Sequence, residues 1–278
     1  MDPTTMHPTV PALIDIWESA AEAIVDLCTP LTDEQWLAAT PCPGWSVADI
    51  VAHAIHIEAF VGGEQQPEHS PDWTTLQHAK GPLGQFIETG IDYRRGRPKD
   101  AVLAELRSRI CVRRAQLDAT PIDADVLGIS GSLSPLPRVI RTRIFDLWAH
   151  EQDARAAVDR SGGWGTLPAV IAFQQMASSL PYVWGKSVGA PIGSVVRLSV
   201  TGPDLEAELS AAVGEDGKGT AGDPGADPDV HLTVSWPDYM RLSCGRVDVS
   251  DPQFRARMSL KGDPACGALL LGALAITP

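Results

Sequence analysis

Basic residues are scarce in this sequence: 22 Lys and Arg stand against 35 Asp and Glu, a formal net charge of −13. Such a surface repels phosphate backbones and anionic headgroups, which argues against nucleic acid and membrane surfaces as partners. No apolar run approaches the ~20 residues that a membrane-spanning helix needs. Met1 to Pro11 shows no basic patch followed by an apolar stretch, so no secretory leader is expected and the expected location is cytoplasmic. The five cysteines (Cys28, Cys42, Cys111, Cys244 and Cys266) are odd in number, and no two have metal or redox spacing. They read as reduced, mostly core thiols. There is no internal repeat. What is present is the material of a core: 44% hydrophobic and 21% charged residues in 278, enough for one large or two ordinary domains.

The first two-thirds reads as helical. Leu13, Trp17, Ala20, Ala21, Ile24 and Leu27 have helix spacing over Pro11 to Leu27. Thr32 and Gln35 form a capping box for a short helix, with Leu31 and Trp36 placed as its staple. Pro41-Cys42-Pro43-Gly44 is a turn. Ser46 then caps a new helix with Asp49 at its third position and Trp45 and Ile50 as staple, and Gly62-Gly63 stops it. Gln65 to Pro82 is a polar, proline-punctuated loop, and helical pattern resumes from about Leu83 and from Lys99 to Leu117. Thr120 to Pro137 reads as loop, followed by helices over Pro137 to Val158 and Pro168 to Trp184. Past the Gly/Pro/Ser linker at Lys186 to Ser194, strand signals appear at Val195 to Val200, Leu205 to Leu209, Val230 to Val234 and Arg257 to Leu260. Gly214 to Pro228 is low-complexity loop, and helices fit Trp236 to Ser243 and Pro264 to Ala275. The expected fold class is α+β: a helical bundle over residues 1–187, then a small α+β domain over 188–278.

Two helices carry the candidate chemistry. In Val-Ala-His53-Ala-Ile-His56-Ile, His53 lies in line with Ile50, Ala54, Ile57 and Val61, the stripe that should face the core. Alone, it is better read as a satisfied core histidine. The helix Pro137 to Val158 changes those odds. Arg143, Asp146, His150 and Asp153, spaced three, four and three apart, stack on one face of a helix that is apolar on nearly every other side. A buried polar stripe must be paired or it is costly. Asp146 and His150 at i and i+4 can aim two ligands at one ion, with His53 the best third ligand in the chain. An intrahelical pair of Asp146 with His150, a salt bridge of Arg143 with Asp146, and a partnership of Asp153 with Arg155 or a solvated Asp153 are the simpler alternatives. Asp49, one turn before His53, is better read as a cap.

At these segments the sequence resembles the mycothiol-dependent maleylpyruvate isomerase family, whose metal-binding domain is a DinB-like four-helix bundle. The resemblance runs through Thr40-Pro41-Cys42-Pro43-Gly44-Trp45-Ser46-Val47-Ala48-Asp49-Ile50-Val51-Ala52-His53 and through Arg143-Ile-Phe-Asp146-Leu-Trp-Ala-His150-Glu-Gln-Asp153-Ala-Arg155. The tail, through Met258-Ser-Leu-Lys-Gly262-Asp263-Pro264 and Leu269 to Pro278, resembles the family's sterol-carrier-protein-like C-terminal domain. The resemblance implies His53 and His150 as metal ligands and Asp146 where the maleylpyruvate isomerases have a ligating glutamate. It implies Arg143 as the catalytic group that meets a substrate carboxylate, and mycothiol as thiol cosubstrate. The family is largely actinobacterial.

Two imidazoles and one carboxylate suit a divalent metal, zinc best, with nickel, iron and manganese also compatible. A thiol activated there attacks a small electrophile, either remaining attached or isomerising it and leaving. The expected partners are therefore a thiol and a small-molecule electrophile. Two other classes stay open. One is a metal-dependent hydrolase that activates water. The other is a non-catalytic binding protein, with a structural metal closed by four protein ligands and an apolar ligand in the tail domain.

Overall fold

Helix starts in this chain are written in side chains that cap. Thr9 accepts from the amide of Ala12, and α1 runs Val10–Cys28 with Leu13, Trp17, Ala20, Ala21, Ile24 and Leu27 buried. The Thr32–Gln35 capping box opens α2 (Asp33–Trp36) and the Ser46–Asp49 box opens α3 (Val47–Val61), as the sequence predicts. Then follow α4 (Gly81–Asp92), α5 (Lys99–Ala119), β1 (Asp125–Leu127), β2 (Leu133–Pro135) and α6 (Leu136–Ala157). The computed structural model describes residues 3–4, 6–223 and 225–277. Contacts divide them into two compact units, one from Pro8 to Gly163, the other from Trp164 onward together with the chain's start.

In the first unit α1, α3, α5 and α6 form the bundle: α1 packs on α5 and α6, and α3 packs on α4, α5 and α6. α3 is the central element. All its residues but Ala48 and Phe60 are buried, so it has no solvent face for His56 or Glu58 to turn to. The Gly/Ser/Pro-rich stretch before α6, expected as loop, holds the antiparallel hairpin β1–β2. Strands of three residues are too short to show a period.

α4 lies close to α3 because Gly90 has no side chain: a Cβ there would stand 2.1 Å from the His56 ring. His56 is fixed by its Nε2 contact with the Phe86 carbonyl at 3.1 Å and its ring contact with Phe86, so it cannot easily give way. Gly90→Ala is therefore expected to destabilise by about 1–3 kcal/mol despite alanine's better helix propensity. Gly84→Ala in the same helix meets only ordinary contact with Ala79 and should be neutral or stabilising. Thermal melts of the two variants check this, and equal melting points would contradict it.

The second unit begins with α7 (Leu167–Ala177), α8 (Leu180–Tyr182) and a π-helical turn, Val183–Val188. One continuous helix over Pro168 to Trp184 was expected. Pro181 has no N–H for the carbonyl of Ala177, and α7 ends there. Then come β3 (Val195–Thr201), β4 (Ala207–Val213), β5 (Gly219–Ala221), β6 (Val230–Ser235), α9 (Trp236–Ser243), α10 (Pro252–Arg255), β7 (Ser259–Gly262) and α11 (Pro264–Ala273). The sheet order is β5-β4-β3-β6-β7, antiparallel except for β3 with β6, which pair in parallel from Val196↔Val230 to Thr201↔Ser235. β6 buries Val230, Leu232 and Val234 in strict alternation, the period its sequence shows. α11 packs on β6, on β7 and on the π-helical turn. At the chain's start, Gln174 Nε2 donates to the carbonyls of Pro3 and Met6, each at 2.8 Å. The helices followed by a mixed sheet make the fold class α+β.

Candidate metal centre

All the candidate residues lie in the first unit, on α3, on α6 and on the turn before α3. The Ser46 box fixes where α3 begins and so its phase: Asp49 Oδ2 accepts from the Ser46 amide at 2.8 Å, and Oδ1 accepts from Arg95 Nε at 3.0 Å. Asp49 is thus fully used as a cap and ion-pair partner. His53, one turn on, faces α6, where the three-four-three spacing lines up Arg143, Asp146, His150 and Asp153, all buried except the half-buried Asp146.

The structure brings His53, Asp146 and His150 together, with one donor atom of each within 4.8 Å of the others. The Asp146 carboxylate spans the two rings: Oδ2 is 3.0 Å from His53 Nε2, and Oδ1 is 3.7 Å from His150 Nε2. The imidazole planes meet edge to face with centroids 4.7 Å apart. Burial lowers the His53 pKa more than neighbouring Asp146 raises it, so this imidazole is neutral near pH 7. For Asp146 burial acts upward, but Arg143 and then His53 outweigh it and hold the carboxyl well below its usual range. His56 does not join the cluster. Its Nε2 meets the Phe86 carbonyl, and burial takes its pKa down to about 4.

Arg143 lies between two carboxylates. Its Nη1 donates to Asp146 Oδ2 at 2.6 Å and its Nε to Glu58 Oε1 at 2.8 Å, with the side chain 2% exposed. Only Nη2 lacks a hydrogen-bond partner. Glu58 also accepts from Trp17 Nε1 at 3.0 Å and has Arg113 3.7 Å away. Sequence reasoning missed Glu58. The available signal was a single acid inside the apolar run Ile57 to Val61, on the helix that carries His53.

Two further residues frame the cluster. The Trp45 indole lies 4.9 Å from the His53 ring and 5.2 Å from the His150 ring, centroid to centroid. Its Nε1 is anchored on Glu88 Oε2 at 3.0 Å, an oxygen that His78 Nε2 also approaches at 3.0 Å. On the far side of His150, Nδ1 is 3.1 Å from Asp153 Oδ2. Asp153 is 2% exposed, so it is no solvated face, and Arg155 pairs with Glu151. A carboxylate on one ring nitrogen fixes the imidazole's tautomer and orientation and leaves the other nitrogen as the donor.

A family model described as the mycothiol maleylpyruvate isomerase N-terminal domain matches residues 17–155, half of the chain and all of the site. The chain belongs to this family. The crystal structure of the mycothiol-dependent maleylpyruvate isomerase matches with a TM-score of 0.55 at 16% identity, covering 89% of this chain and 92% of its own. A histidine-to-alanine mutant of that isomerase matches with the same TM-score and coverage at 14% identity. The sterol carrier protein 2 of Yarrowia lipolytica aligns over 39% of this chain and 90% of its own at 17% identity, with a TM-score of 0.30. Among curated proteins no match is found. In the family's helical domain, then, this chain holds two histidines and an aspartate together, and no helix among the described residues is long and apolar enough to cross a membrane.

Proposed function

We propose that this chain is a mycothiol-dependent enzyme that joins the thiol to, or isomerises through it, a small electrophile at a divalent metal held by His53, Asp146 and His150. The observation that carries this reading is the convergence of those three donors inside the family's domain. The donor set suits the ion. Two ring nitrogens and a carboxylate oxygen, one donor atom of each within 4.8 Å of the others, would hold a divalent ion between α3 and α6. Zinc fits two imidazoles and a carboxylate best. Three protein ligands leave positions open, which a purely structural site would close.

A divalent ion bound there would favour the thiolate form of an entering thiol at neutral pH. The chain's residues do the rest. His53, kept neutral by burial, presents a lone pair rather than a charge. Asp146 stays anionic because Arg143 fixes it, and Asp153 turns His150 so that Nε2 faces the cluster. Trp45 covers both imidazoles and excludes water from one side. Arg143, catalytic in this reading, has Nη2 as its one uncommitted nitrogen for an anionic group of the substrate. The aspartate at 146 is one methylene shorter than the glutamate of the maleylpyruvate isomerases, so the reading names the thiol chemistry and not maleylpyruvate.

The test is mass spectrometry of the metal-loaded protein with mycothiol and a panel of small electrophiles. A thioether product, or an isomer formed only when mycothiol is present, is expected. Turnover that proceeds equally without any thiol would replace the proposal with metal-dependent hydrolysis.

A further inference from the structure

The turn Pro41–Gly44 brings Cys42 to the same histidine and to Asp153. Cys42, His150 and Asp153 are all buried, at 8%, 8% and 2% exposure, and one donor atom of each lies within 4.8 Å of the others. The His150 ring therefore presents Nε2 to Asp146 and Nδ1 to Asp153, 3.1 Å from the Asp153 carboxylate. We propose that Cys42, His150 and Asp153 form a second, softer metal position that takes thiophilic divalent ions, and that it competes with the position at His53, Asp146 and His150.

The two positions differ in charge and in softness. One carboxylate and two neutral imidazoles leave a divalent ion with a net positive charge, which suits a site that must attract an anionic ligand. A thiolate, a carboxylate and one imidazole neutralise the ion in full, which suits a buried position. Thiolate also selects the softer ions. Binding at Cys42 releases the thiol proton to solvent as the sulfur–metal bond forms, so the step balances without an oxidant.

Competition follows from the histidine. A neutral imidazole has one lone pair, on whichever nitrogen is unprotonated. An ion on Nδ1 requires the proton on Nε2 and so removes His150 from the first position, while an ion on Nε2 leaves Nδ1–H to donate to Asp153. Filling both positions would need the doubly deprotonated ring. This exclusion rests on the ligand set proposed above; the thiol position itself does not.

The experiment uses the full chain carrying Cys111→Ser and Cys266→Ser, which removes its exposed and half-buried thiols, and cadmium(II) alone as the probe. Titration is expected to raise a sulfur-to-cadmium charge-transfer absorption that saturates at one equivalent. Adding Cys42→Ser should abolish it, and adding Asp153→Asn should weaken cadmium affinity at least about tenfold with an unchanged circular dichroism spectrum, so the test survives if the cysteine variant folds poorly. The band should persist in His53→Ala, which separates this position from the first. Absence of the band, or a band indifferent to Cys42→Ser and Asp153→Asn, would overturn the proposal. On zinc-loaded protein the band should grow only as zinc is released; two ions bound per chain would overturn the competition.

Discussion

In protein that carries Cys42→Ser, replacing His53 or His150 with alanine is expected to cut the bound metal at least about tenfold while the far-ultraviolet helical signal persists. Both rings are buried within the bundle and face the same Asp146 carboxylate, so each loss removes one of the three donors proposed above, and Cys42→Ser keeps the neighbouring thiol from holding the ion instead. The cavity left on α3 or α6 is that of an imidazole, which the bundle should tolerate with reduced stability but without unfolding. The indole of Trp45 gives a second readout. It lies about one ring-contact distance from both histidines, so an open-shell ion such as nickel(II) or copper(II) held there should quench its fluorescence. That quench, taken as the difference between wild type and Trp45→Phe, should vanish in both alanine variants. Full metal occupancy in either variant would remove that histidine from the ligand set. Asp146→Glu should keep the metal, since it puts back the glutamate that the resemblance implies at this position; loss of metal there would mean that this site is built around the shorter side chain.

The helices and strands of this chain were legible wherever a cap or a period marks them. The Ser46–Asp49 box gave the start of α3, and the alternation of Val230, Leu232 and Val234 gave β6. What escaped is short or is set by a single backbone event: the three-residue strands β1, β2 and β5, the four-residue α10, and the break at Pro181. Within the site, helical spacing alone placed Arg143, Asp146, His150 and Asp153 on one line, because a helix fixes its own neighbours. The approach of His53 to that line depends on how α3 packs on α6, which no local pattern encodes; the apolar surroundings supplied only the direction. Partnerships across helices were the least visible. The role of Asp153 as a support for His150, the place of Cys42 beside them, and the sharing of Arg143 between Glu58 and Asp146 all depend on which charged group finds which in a buried space.

That last sharing has the largest consequence for stability. Glu58→Ala is expected to destabilise the protein by about 3–5 kcal/mol, the cost of removing one partner from a buried ion pair. Glu58 is 1% exposed and its carboxylate accepts from Arg143 Nε at 2.8 Å and Trp17 Nε1 at 3.0 Å, with Arg113 Nε 3.7 Å from its other oxygen. Arg143 and Arg113 are themselves 2% and 6% exposed, so neither guanidinium can turn to water when the acid is lost. At roughly 2–4 °C per kcal/mol for a domain of 150–250 residues, the melting temperature should fall by about 10 °C. Glu58→Gln keeps an acceptor for Trp17 but not the charge, so its loss should be intermediate. The effect should reach the candidate metal centre as well. With Glu58 gone, Arg143 has only Asp146 as an anionic partner, and its tighter hold on that carboxylate should weaken metal affinity although no ligand has changed. Thermal melts and metal-competition titrations of Glu58→Ala and Glu58→Gln measure the two effects separately. If both variants melt within about 1 kcal/mol of the parent, the buried cluster is not what ties α3 to α6.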